Sequence, residues 1–73
     1  MKVIVFKRTG GGKTKIFAQK NKLSEGKKEL SNLYMTAIEN FPDEITDNDK
    51  LSKDCKHLRL FQSEYWIEKN QTL

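Results

Sequence analysis

The segment Leu58-Arg59-Leu60-Phe61-Gln62-Ser63-Glu64-Tyr65-Trp66-Ile67 decides the fold, because it reads in two ways. Taken with Leu51 and Cys55, the positions Leu58, Phe61, Tyr65 and Trp66 share one face at ~100° per residue, the spacing of an amphipathic helix running to about Lys69. Taken alone, Tyr65-Trp66-Ile67 has the aromatic and β-branched character that favours strands. The periodicity leads to a helix, with further strands as the alternative for residues 58–69. On that helix Leu60 and Ile67 lie about opposite the apolar face and form a surplus seam. Leu60, Ile67, Tyr65 and Trp66 are therefore the candidate protein-interface residues.

Upstream, Leu30, Leu33, Tyr34, Ala37, Ile38 and Phe41 recur at three- and four-residue spacing, which predicts a helix over roughly Ser24 to Asn40 with Ser24 as its N-cap. Pro42 stops it, and the acidic stretch from Asp43 to Asp49 supplies turn and cap residues. Towards the N-terminus, two short β-prone runs, Lys2 to Arg8 and Lys13 to Gln19, flank Thr9-Gly10-Gly11-Gly12 and predict a β-hairpin. If Arg8 pairs with Lys13, Val5 meets Ile16 and Val3 meets Ala18 on one face. Phe6 then meets Lys15 and Ile4 meets Phe17 on the other, a mixed aromatic and basic face. The expected fold is α+β: one small domain, residues 1–73, with the N-terminal β-hairpin packed on two antiparallel helices.

A chain of 73 residues with 36% hydrophobic and 33% charged side chains supports one thin core, not a separate catalytic domain with a deep, dry pocket. The longest apolar run, Val3-Ile4-Val5-Phe6, is far below the ~18 residues of a membrane span. No membrane partner is expected. Cys55 has no second cysteine to pair with, which fits a reducing, cytoplasmic compartment. Charge is unevenly spread. Residues 1–28 carry nine basic side chains against Glu25 alone, net +8, whereas residues 29–73 carry five against nine acidic ones, net −4. The basic end can attract phosphates or an acidic protein surface.

Within that end, Lys7-Arg8-Thr9-Gly10-Gly11-Gly12-Lys13-Thr14 after a β-prone run resembles the phosphate-binding P-loop of nucleotide hydrolases. The resemblance implies Lys13 on the terminal phosphates and Thr14 on magnesium. It departs from the pattern at Lys7, where the motif has the glycine of its sharp turn, and a chain this short cannot supply the parallel sheet that such a loop serves.

The remaining constellations are sparse. Cys55 and His57 are two residues apart, ~200° around a helix, with no further Cys or His to complete a zinc site. The Asp43 to Asp49 group lacks the glycine and closing glutamate of a calcium loop. No Ser/His/Asp or Cys/His arrangement surrounds His57, so a non-enzymatic protein without a cofactor is expected. The first functional expectation is binding to the DNA or RNA backbone by the basic hairpin. Lys7, Arg8, Lys13 and Lys15 would contact phosphates, and Phe6 and Phe17 would stack on bases. An alternative is a protein-binding inhibitor or adaptor of the kind mobile elements such as phages encode, covering a surface on a larger host protein. A third is a small RNA-cutting toxin acting through Lys, Arg and His57.

Overall fold

In the computed structural model, which describes residues 2–70, the chain forms β1 (Lys2–Thr9), β2 (Lys15–Lys20), α1 (Leu23–Asn40), a single 3-10 turn (Pro42–Glu44), β3 (Lys50–Leu51), β4 (His57–Leu60) and β5 (Ser63–Asn70). The strands make one antiparallel sheet in the order β2-β1-β5-β4-β3. α1 lies on one face. Among the described residues no second layer covers the other.

The expected second helix is therefore corrected. Residues 50–70 build three strands, so the fold is a five-stranded sheet with one helix, not a hairpin on two antiparallel helices. The physical reason is an alternation in the same segment. Leu58 and Leu60 are buried while His57 and Arg59 are exposed, the period-two pattern of a half-covered strand. The chain reverses at Phe61-Gln62, and both residues have positive φ, 50° and 68°, as tight two-residue hairpin turns require. β5 then pairs with β1 along its whole length on one side and with β4 through Ser63 to Trp66 on the other, which makes it the central strand. A lone helix over the same residues would lack that central position.

The hairpin register is corrected too. Lys7 pairs with Lys15 and Phe6 with Ile16, then a bulge shifts the ladder so that Val5 pairs with Ala18, Ile4 with Gln19 and Val3 with Lys20. Phe17 is the extra residue at the bulge. It joins Ala18 on the helix side, where its ring meets Tyr65 edge-on at 5.1 Å.

The core lies between α1 and the helix-facing side chains of the sheet: Val5, Leu58, Leu60 and Tyr65 from the strands, Leu30 and Ala37 from the helix. Burying Leu30 and Leu58 contributes roughly 1.5–3 kcal/mol each. α1 begins after Lys22 rather than at Ser24. The Glu25 carboxylate reaches back to accept the backbone N–H groups of Asn21 and Lys22 at 3.2 and 3.3 Å. Gly26 lets the helix approach the sheet, since a Cβ there would stand 3.2 Å from Val3 Cγ1 and 3.3 Å from Ile67 Cδ1. The helix ends at Phe41, ahead of Pro42. The following loop is held by Asp49, whose carboxylate accepts N–H bonds from Thr46 at 2.8 Å and Phe61 at 2.9 Å. Among the described residues no helix is long and apolar enough to cross a membrane.

Candidate nucleic-acid interface

Strand alternation sorts the six hairpin residues onto two surfaces. Phe6 and Arg8 project from the open face. Lys7 and Lys15, register partners, lie on the helix side with Phe17, and the Lys7 ammonium stands 5.4 Å from the centre of the Tyr65 ring. Lys13 is exposed in the turn. Phe6 and Phe17 thus cannot stack on the same base run, contrary to the shared face expected from the sequence.

The four candidate interface residues divide in the same way. Leu60 and Tyr65 are only 4% and 6% exposed, and Ile67 packs against the core. These three belong to the contact with α1, so the surplus seam does not form. Trp66 alone of the four faces outward, stacked on Phe6 with centroids 5.8 Å apart and planes inclined by 25°.

Following the register across the open face reveals two neighbouring rows. Lys50 pairs with Arg59, Arg59 with Glu64, and Glu64 with Arg8, a charged row spanning β3, β4, β5 and β1. Two residues along each strand, His57 pairs with Trp66, Trp66 with Phe6, and Phe6 with Ile16, an aromatic and apolar row spanning β4, β5, β1 and β2. Ile16 is 55% exposed, so this row is open to solvent at its β2 end.

The charged row has three cations and one carboxylate. Arg8 donates to Glu64 Oε1 at 2.6 Å, and Arg59 lies 3.9 Å from Oε2. The Arg8 hydrogen bond, reinforced by the charge of Arg59, holds the Glu64 carboxyl below the usual glutamate range. The Arg59 side chain is 60% exposed. In the next row the Trp66 indole N–H donates to Glu68 Oε2 at 2.8 Å, which fixes the edge of a ring whose one face is stacked on Phe6.

Arg59 and Lys50 are functional candidates that the sequence reading did not assign by number, and His57 entered it only through the RNA-cutting alternative. Counting charge by halves placed them in the acidic portion of the chain, although cross-strand pairing carries two of them into one row with Arg8. The signal that could have found them is the alternation His57-Leu58-Arg59-Leu60.

The glycine loop is a hairpin turn. The chain leaves Lys13-Thr14 directly into β2, so no helix N-terminus meets it, and the phosphate cradle of a P-loop is not built. Gly10, at φ +54°, bonds through its N–H to the Gln62 carbonyl at 3.0 Å and ties the turn to the β4–β5 turn. Cys55 is half-buried in the β3–β4 connection rather than on a helix. Among the described residues no three His, Cys, Asp or Glu side chains are grouped to hold a metal. Compared with protein-family models, curated proteins and solved structures, the chain matches none.

Proposed function

We propose that this protein binds single-stranded nucleic acid across the open face of its sheet, in the cytoplasm that the lone Cys55 fits. The observation that carries the reading is the charged row Lys50-Arg59-Glu64-Arg8 beside the row His57-Trp66-Phe6-Ile16. The rows are two residues apart along each strand, roughly 6.6–6.8 Å, and neighbouring strands are about 4.7–4.9 Å apart. A strand laid across the sheet can place phosphates on the cations while unpaired bases stack on Trp66 and Phe6. Paired bases keep their faces inside a duplex, so stacking of this kind selects single strands. This moves the contact surface from the hairpin tip to the middle of the sheet and retains Arg8 and Phe6 from the original six. Lys7 and Lys15 on the other side and Lys13 in the turn contribute long-range attraction.

The protein-binding alternative loses the Leu60 and Ile67 seam that was one of its grounds and retains the basic N-terminal end, which suits an acidic protein surface. The structure adds the exposed edge-on pair Phe41 and Phe61, 6.1 Å apart beside Asp43 and Glu44.

Fluorescence anisotropy of labelled single-stranded and duplex DNA and RNA, at low and near-physiological salt, tests the reading. Three neutralised phosphates give a log–log salt slope of about −2 for a single strand. Preference for single strands with that slope is expected. Equal affinity for duplex, or no binding at low salt, would overturn it, and the latter would leave a protein partner as the reading to pursue.

A further inference from the structure

His57 ends the aromatic row on β4, next to Lys50 and Arg59 at the end of the charged row. These three residues, with Asp47 and Glu64, line a depression of about 350 Å³ in the open face. Glu64 is clamped by Arg8, and its Oε2 lies 3.9 Å from the guanidinium of the exposed Arg59 at the rim. The His57 imidazole, a side chain able to take the proton of a hydroxyl, shares this lining with an arginine and a lysine. That set can deprotonate a hydroxyl and stabilise a phosphorane.

Resting on the single-strand reading above, we propose that this depression cleaves RNA by transesterification. With a base stacked on Trp66, the neighbouring phosphodiester enters between His57 and the Lys50-Arg59 pair. His57 accepts the proton of the ribose 2′-OH, and the 2′-oxygen forms a bond to phosphorus. Arg59 stabilises the negative charge gathered on the phosphoryl oxygens. The P–O5′ bond breaks, and the departing 5′-oxygen takes a proton from the Lys50 ammonium. The products are a 2′,3′-cyclic phosphate and a 5′-hydroxyl. His57 then releases a proton to water and Lys50 regains one, so the step consumes no co-reactant. DNA, which lacks the 2′-hydroxyl, is bound and left intact.

The test uses three end-labelled strands of one sequence: all DNA, all RNA, and DNA with a single ribonucleotide. The protein is compared with His57→Gln and Lys50→Gln variants purified in parallel. The side chain of His57 is exposed, and far-UV circular dichroism checks that each variant keeps the fold. The expected result is one cut in the chimaeric strand, directly 3′ of the ribonucleotide, leaving a cyclic phosphate. His57→Gln should slow it by about 100-fold or more, far beyond any weakening of its binding to the all-DNA strand measured in parallel. A chimaeric strand that stays intact while the all-DNA strand binds would overturn the cleavage and leave the binding reading standing. Equal cutting by His57→Gln would assign the activity to a contaminating nuclease and also overturn it. Failure of the all-DNA strand to bind would remove both readings together.

Discussion

Asp49 accepts the backbone N–H of Phe61 at 2.9 Å, joining the loop after α1 to the β4–β5 turn twelve residues further along the chain. The same carboxylate accepts the Thr46 N–H at 2.8 Å. Asp49→Ala leaves both donors without this partner, and hydrogen bonds to charged groups are worth about 1.5–3 kcal/mol. The expected loss is about 2 kcal/mol or more, read from urea unfolding. An unchanged midpoint would show that the loop is held by other contacts.

The bond from Thr46, then that from Phe61, holds the Asp49 carboxyl below its ordinary value despite burial. A lowered folded pKa stabilises the protein above the unfolded value of about 3.9, and that contribution is lost as pH falls through the folded value. The stability gap between the natural protein and Asp49→Asn should therefore be full at neutral pH and shrink as pH is taken below about 4. Parallel thermal melts across that range check it, and a constant gap would contradict the role of the ionised form.

Gly26 faces Val3 and Ile67 so closely that larger side chains at this helix position must push the sheet away. Gly26→Val should destabilise by about 1–3 kcal/mol through overpacking, whatever β-branching adds. Gly26→Ala should have a smaller effect, because its gain in helix propensity opposes a contact that the Ile67 Cδ1 end can relieve, although the stiff, buried Val3 cannot turn away. Equal effects of the two variants would mean that the approach of α1 to the sheet is loose.

At the β4–β5 turn, Phe61 and Gln62 both occupy the left-handed region that suits glycine and asparagine. Gln62→Gly should raise stability by about 0.5–1 kcal/mol, the relief of backbone strain exceeding the entropy glycine adds to the unfolded chain. A lower melting temperature would show that the Gln62 side chain holds the turn.

The hairpin, the helix and its stop at Pro42 were legible because local signals carry them: glycines in a turn, apolar positions at helical spacing, a proline. The β4–β5 hairpin was not, since Leu51, Cys55, Leu58, Phe61 and Tyr65 match a helical face while the turn that breaks it is made by Phe61-Gln62, a pair without turn character. The candidate site shared that fate. Phe6 and Arg8 were found on the basic hairpin, but their partners Trp66, Arg59 and Lys50 join them only through β5, which is distant in sequence and central in the sheet. The Phe17 bulge, which sends that ring to the opposite face from Phe6, has no signature in residues 15–20.

The two faces make opposite demands on a binding series. Substituting Arg8 and Arg59 by glutamine should weaken single-strand affinity and flatten its salt slope by about 1.4, at about 0.7 per lost phosphate contact. Substituting Lys7 and Lys15 should weaken binding less and leave the preference for single strands intact. The reverse ranking would return the interface to the helix side of the hairpin.

Trp66 is the chain's one tryptophan and stands in the middle of the proposed contact, so its emission reports directly on the open face. The decisive measurement is a titration of the protein with a single-stranded DNA of mixed sequence, followed by tryptophan fluorescence at low salt and repeated with Phe6→Ala. Saturable quenching is expected, with the affinity falling about 10-fold in the variant, since stacking on one aromatic ring is worth about 1–3 kcal/mol per base. Binding by anisotropy with Trp66 emission unchanged, or equal affinity for Phe6→Ala, would contradict recognition on the open face of the sheet.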